Sequence, residues 1–264
     1  MTNARNAKSA REKAAQLRAE QAKAEARRRN LMITIVGLLV VGVLVGGFLL
    51  IRKASDDQQT RAAAASAPPA NLYENGILYG NSAAPVTLEF YEDFQCPACQ
   101  SFEAANGATV DQLVQEGKAK VIYRPVAILD HQSTDNYSTR SAAAAAAVQN
   151  ADPAAYKKFH DALYANQPAE GGAGLPDSQL VELAVAAGVD KTVIESAINA
   201  GQFQGWVTAN TTAFGEKYRS TPTVLVNGTE LENRSPQGLT DAVTKATPAG
   251  STPAPQASSS PSAS

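Results

Sequence analysis

Residues 86–100 read VTLEFYEDFQCPACQ. The first six alternate in a β-branched and aromatic pattern, which predicts a strand over Val86–Tyr91. The turn-like EDFQ follows. Pro97 then opens a helical stretch to about Gly117, proline being suited to a first helical turn where its missing N–H has no partner. Cys96 and Cys99 are the only two cysteines in the 264-residue chain. The pair therefore falls where a strand ends and a helix begins, at free backbone N–H groups and the positive end of the helix dipole. Both features favour a thiolate, and a three-residue offset brings the second sulfur back beside the first.

Three readings of the pair compete. A structural clip closes a loop of four residues, for which chain entropy gives about 2 kcal/mol. A metal site needs more ligands: there is no second CxxC, and His131 and His160, the two histidines, stand in distant segments. Structural zinc commonly takes four ligands, so no metal is expected, and each histidine reads as a surface or hydrogen-bonded residue. The third reading is a redox centre in which Cys96 attacks a disulfide and Cys99 resolves the mixed disulfide.

Working outward, Lys120–Pro125 (KVIYRP) reads as a second strand. An alanine-rich region from about Ser138 to Tyr218 reads as helical segments broken at Pro153, at PAEGGAGLP and at Gly188. One segment sets Phe203, Trp206, Val207, Asn210 and Phe214 on one helical face, the pattern of core packing. Thr223–Val226 (TVLV) is a third strand, Asn227-Gly228 a hairpin turn, TELE a short return strand, and residues 235–246 a last helix. This is an α/β sandwich with a helical insertion. Its strand–helix–strand unit calls for a parallel pair with a right-handed crossover.

The flanks differ from this body. Residues 1–30 carry nine Lys/Arg against three Asp/Glu, whereas from residue 31 onward 14 Lys/Arg face 22 Asp/Glu. The acidic body argues against nucleic acid as a partner, which needs clustered basic residues. Residues 31–51, LMITIVGLLVVGVLVGGFLLI, hold no charge. As a helix they rise about 31 Å, enough to cross a hydrocarbon core. The basic head sets the N-terminus in the cytoplasm and the remainder outside. A cleaved signal peptide has a shorter apolar region and a prompt small-residue cleavage site, so an uncleaved single-pass anchor in the cell membrane is expected. Disulfides persist on the outer side. The expected organisation is a cytoplasmic head (1–30), a transmembrane helix (31–51), a linker (52–70), a folded domain (71–246) and a Pro/Ser/Ala-rich tail (247–264) that cannot build a core.

APVTLEFYEDFQCPACQSFE (84–103) resembles the active-site segment of the DsbA-like branch of the thioredoxin superfamily, and STPTVLVNG (220–228) resembles that branch's second signature. The resemblance covers about residues 76–246. It implies a thioredoxin fold and a thiol–disulfide oxidoreductase that needs no bound cofactor. It makes Cys96 and Cys99 the redox pair, with Pro97 and Ala98 tuning it. It implies that Pro222 is a cis-proline facing the CxxC, although X–Pro bonds default to trans, and that Thr221 offers its backbone to an extended substrate. It matches Glu89 to a buried acid beneath the site, raised by burial and able to relay a proton to Cys99. Glu92 and Asp93, by contrast, read as solvated. The implied partners are cysteine-containing exported proteins and a membrane redox partner. Strong oxidants of the branch often carry histidine at the position of Ala98 and valine at that of Thr221, so the sequence leaves open an isomerase or reductase. A non-catalytic peptide-binding module is disfavoured, since it has no need of both sulfurs.

Overall fold

The structure is a computed structural model that describes residues 67–251 and Ala254. The head, the apolar run 31–51, most of the linker and most of the tail lie outside the described residues. Among the described residues no helix is long and apolar enough to cross a membrane.

Five strands form one sheet in the order β1-β3-β2-β4-β5: β1 Ile77–Tyr79, β2 Val86–Glu92, β3 Ala119–Pro125, β4 Thr223–Val226 and β5 Thr229–Glu230. Helix α1, Pro97–Gln115, connects β2 to β3, and these two strands run parallel, with Phe90 beside Tyr123. The parallel strand–helix–strand unit expected from the sequence is thus present. Strands β1 and β4 flank it in antiparallel fashion, and Asn227 and Gly228, both at positive φ, turn the chain from β4 into β5. The three-residue β1 carries too short a pattern to read as a strand beforehand.

Between β3 and β4 the chain makes helices α2 (Tyr137–Ala151), α3 (Tyr156–Ala165), α4 (Asp177–Ala187), α5 (Lys191–Asn199) and α6 (Gln204–Lys217); α7, Pro236–Ala246, closes the domain. Breaks fall at Pro153, at the 166–176 segment and at Gly188, as the sequence indicates. In α2, small side chains allow close helix packing, and Ala142–Val148 are buried without interruption. Phe203, Trp206, Val207 and Phe214 are core residues.

The parity of β2 matters most for the site. Val86, Leu88, Phe90 and Glu92 point one way and are buried, while Thr87, Glu89 and Tyr91 point the other way and are half-covered. Side chains alternate across a strand, so Phe90 meets Phe102 of α1 edge-on, with ring centroids 5.3 Å apart, whereas Tyr91 packs on Phe214 of α6. The strand runs one residue past the expected end, which carries Glu92 into the interior as the next member of the buried row.

Candidate functional site

The CxxC sits at the start of α1. Cys96 is the helix N-cap residue, and Pro97 occupies the first turn. Cys96 keeps 7 % of its surface exposed and Cys99 none, while Pro97 and Ala98 are exposed. Both cysteines are free thiols.

The Thr221–Pro222 peptide is cis. Because β4 begins at Thr223, paired to Tyr91 of β2, residues 221–222 lie just past the end of β2, where the CxxC loop emerges. The Cys96 thiol donates to the carbonyl oxygen of Thr221 at 3.5 Å. Cys96, Cys99, Thr221 and Pro222 are thereby brought together as the sequence motifs implied.

The two sulfurs are electrostatically unlike. Donation from the Cys99 thiol holds Cys96 down at about 5 against the cost of burial, with help from the Thr221 hydroxyl and the backbone N–H groups of Cys99 and Ala98. The Thr221 hydroxyl is buried and has no other partner, which leaves it free to support the thiolate. Burial pushes Cys99 up, and its hydrogen bond to Cys96 and the charge of Glu92 push it further. At neutral pH Cys96 is therefore a thiolate and Cys99 a thiol. A low thiolate pKa at a helix start that solvent still reaches is the condition for nucleophilic exchange.

The acids depart from the sequence-based expectation. Glu89 does not lie buried beneath the site. It lies on the opposite face of β2 with 16 % of its side chain exposed, and there Arg124 Nε donates to its Oε2 at 2.8 Å. The expectation assumed equal cover on both faces of the sheet. The buried acid is Glu92, 3 % exposed, and burial pushes its carboxyl up to about 8. Asp93 is not solvated either: it is fully buried, raised by burial to about 6, and accepts the backbone N–H groups of Gln95 and Leu129, each at 2.9 Å. It ties the CxxC loop to the segment after β3.

Sequence reasoning also missed three residues around Glu92. His160 of α3 is fully buried, with Nε2 3.1 Å from Glu92 Oε2 and Nδ1 3.1 Å from Asp161 Oδ1. Glu103, one turn past Cys99 on α1, lies within hydrogen-bonding reach of Glu92, and burial followed by the Glu92 charge pushes it well up. Glu92 and Glu103 each bury one carboxyl oxygen without a partner. A proton held between the two carboxyls satisfies both. The FE of CQSFE was the available signal, since Cys99 and Glu103 stand four apart on one helical face. A cavity of about 600 Å³ opens beside α1 and α3, lined by Glu103, Asp111, Lys157 and Asp161 among others.

The helical insertion clamps the loop from above. Gln167 donates to the carbonyls of Phe94 and Cys96 at 2.9 and 3.0 Å, and Gln100 of α1 donates to that of Tyr164. Gln95, buried, donates to the Gln132 carbonyl and accepts from Ser138. A strand, a helix start, a cis-proline loop and a helical cap thus hold one poised thiolate over one buried acid.

The thioredoxin family model matches residues 73–245. The crystal structure of oxidised DsbA from Mycobacterium tuberculosis is similar at a TM-score of 0.61 and 37 % identity, covering 67 % of this chain and 94 % of that one. The reduced disulfide bond oxidoreductase DsbG from the same organism is similar at a TM-score of 0.61 and 35 % identity, covering 73 % and 94 %. Among curated proteins, the serine/threonine-protein kinase PknE of Mycobacterium tuberculosis is 36 % identical over 155 residues, 56 % of this chain. The match spans only 27 % of the kinase's length.

Proposed function

The chain belongs to the thioredoxin family, in its DsbA-like branch of thiol–disulfide oxidoreductases, and from that premise we propose that it introduces disulfides into exported proteins on the outer side of a membrane. The observation that carries this reading is the unequal pair: Cys96, with 7 % of its surface still open, ionised at about 5, and Cys99 sealed and protonated. Stabilising the Cys96 thiolate stabilises the reduced form, which makes the disulfide form the better oxidant.

The reaction balances as follows. A substrate thiolate attacks Cys96 of the Cys96–Cys99 disulfide, and the S–S bond breaks toward Cys99. The departing Cys99 sulfur takes a proton, for which the Glu92 carboxyl is the buried donor. The substrate's second thiolate then attacks the substrate sulfur bonded to Cys96, which forms the substrate disulfide, breaks the mixed one and expels Cys96 as a thiolate. The substrate has lost two electrons, the pair has gained them, one substrate proton resides on Cys99 and the other has gone to solvent. Glu92 regains its proton through Glu103. A membrane-embedded disulfide donor reoxidises the pair in this reading. In this reading the backbone leading through exposed Ser220 to Thr221, next to the Cys96 sulfur, pairs with extended peptides of many sequences.

Residues 31–51 serve in this proposal as a single-pass anchor with the N-terminus in the cytoplasm, supported by their uncharged apolar run and basic flank. Tethering raises the local concentration of the domain near emerging substrates. A second reading, disulfide isomerase or reductase, is favoured by Thr221 and Ala98, neither of which matches the strongest oxidants.

The test uses the full chain. Its Cys96–Cys99 potential is measured against glutathione, and its oxidised form is mixed with a reduced, unfolded model substrate. A potential near that of strong oxidants, together with regain of substrate activity, supports the oxidase. A potential near that of thioredoxin supports the reductase. Absence of exchange with thiols and disulfides alike ends both.

A further inference from the structure

The interior next to α1 holds more unsatisfied polarity than proton transfer to one sulfur requires. Glu92, Glu103 and His160 each offer a ligand atom, and the three atoms lie within 4.8 Å of one another. Glu92 is 3 % exposed and its Oε1 has no partner; the same is true of Glu103 Oε1. Two phenols add to the count. The Tyr123 and Tyr156 hydroxyls are buried without partners. Their ring centroids lie 4.4 and 5.9 Å from that of His160. A shared proton satisfies the carboxyl oxygens but neither phenol. Buried polar atoms without partners are rare in folded proteins, and here the two carboxyls and the two phenols all belong to residues gathered around the His160 ring.

The histidine is oriented for a ligand. His160 Nδ1 faces Asp161 Oδ1 at 3.1 Å, which directs the other ring nitrogen toward the two glutamates. A carboxylate holding the far nitrogen of a histidine is the usual outer support of a metal-binding imidazole. Phe94 and Tyr164 pack on the same ring and keep it fixed. The donor set is one imidazole and two carboxylates, with charge suited to a divalent cation. Small side-chain adjustments bring three such atoms to the 2.0–2.2 Å bonds that zinc takes, roughly, from nitrogen and oxygen. Access is provided by the 600 Å³ cavity, because Glu103 belongs both to its wall and to the cluster. Lys157, on the same wall, is engaged by Asp161 at 2.7 Å and Asp111 at 3.5 Å.

We propose that Glu92, Glu103 and His160 form a binding site for a divalent first-row cation of the zinc type, entered from the cavity beside α1 and α3, with solvent or a phenol completing its coordination. An occupied site holds Glu92 as a metal carboxylate and withdraws it from Cys99. That consequence rests on the proposed exchange reaction; the binding itself does not.

The test titrates the full chain in its oxidised form, with the disulfide closed so that thiolates do not compete. Zn2+ is followed by calorimetry, and Co2+ by the visible absorption of its nitrogen- and oxygen-ligated complexes. The expected result is one equivalent per chain, with affinity lowered about tenfold or more in Glu103→Gln and in His160→Gln, and about tenfold in Asp161→Asn, the support residue. Zn2+ raises the melting temperature of the native chain and not that of Glu103→Gln, whose own cooperative melt shows that it folds. Absence of binding to the native chain overturns the proposal. So does binding unchanged in all three variants, or a Zn2+-soaked crystal with only water among the four orphaned atoms. Binding that leaves the exchange rate unchanged keeps the site and overturns its link to Cys99.

Discussion

Thr221 meets Cys96 across 125 residues of sequence, its carbonyl oxygen 3.5 Å from the sulfur and its own hydroxyl buried without another partner. The carbonyl serves the thiol, and the hydroxyl serves the thiolate. Thr221→Val removes only the second. A hydrogen bond to a charged group contributes about 1.5 kcal/mol, which corresponds to about one pKa unit. Cys96 should therefore rise above its value of about 5 by roughly that amount. Thiolate absorbance followed through an acid titration reads it directly, and an unchanged or lowered midpoint removes the hydroxyl from the account.

Ala98 is exposed between the two cysteines and contributes only its backbone N–H to the Cys96 thiolate. Ala98→His adds a donor or a positive charge. The reduced form is stabilised further, so the potential rises. One pKa unit at Cys96 corresponds to about 30 mV for this two-electron couple. Equilibration with glutathione measures the change, and a fall in potential contradicts the argument.

The unequal pair leaves a signature in pH. With Cys96 ionised above about 5 and Cys99 protonated far beyond it, reduction takes up two electrons and one proton. The potential should fall by about 30 mV per pH unit through neutrality, and about twice as steeply below the Cys96 midpoint. Stability follows the same group. Its folded pKa is depressed, so its contribution to the reduced form is complete above the unfolded value of about 8.5 and is lost as pH falls toward 5. Melting temperatures of reduced and oxidised protein should diverge across that window. A constant difference from pH 5 to 9 refutes the assignment.

Glu92 and Glu89 make a matched comparison. Glu92→Gln removes the buried donor for Cys99 and should slow disulfide exchange about 100-fold, the scale of general acid catalysis. Glu89→Gln breaks an ion pair with Arg124 on the far face of the sheet. Its cost is stability alone, about 1 kcal/mol or less, with the exchange rate unchanged. Stopped-flow tryptophan or thiol-release kinetics separates the two. Equal slowing in both variants restores Glu89 to the site.

Gln167 links the insertion to the redox loop through two carbonyls. Gln167→Ala leaves the Phe94 and Cys96 carbonyls without that donor and should destabilise the domain by about 1–3 kcal/mol. Slower exchange at unchanged Cys96 pKa is expected alongside, since the loop loses a positional restraint and no electrostatic partner.

Much of this site was legible because it is local or punctuated. Proline after Cys96 announced a helix start, and the resemblance carried by Thr-Pro before TVLV implied the loop facing it. The acids were not legible for a geometric reason. Which of Glu89 and Glu92 is buried depends on how completely each face of the sheet is covered, and α6 leaves the Glu89 face half open. His160 was further from reach. It enters through a helix 68 residues beyond Glu92 whose docking is set by Phe94, Tyr123, Tyr156 and Tyr164. Within α3 the spacing of Tyr156, Phe159, His160, Leu163 and Tyr164 puts the histidine on the buried face, but nothing in it names Glu92 as the group that face meets.

The alternation along β2 has a consequence for change over time. Val86, Leu88, Phe90 and Glu92 share one face, so the acid's location is a property of counting rather than of neighbourhood. Losing or gaining a single residue between Phe90 and Glu92 turns the carboxyl outward while leaving every motif in the chain readable. Drift in that short interval can silence the acid without touching the two sulfurs, and it can do so in a sequence that still looks fully equipped.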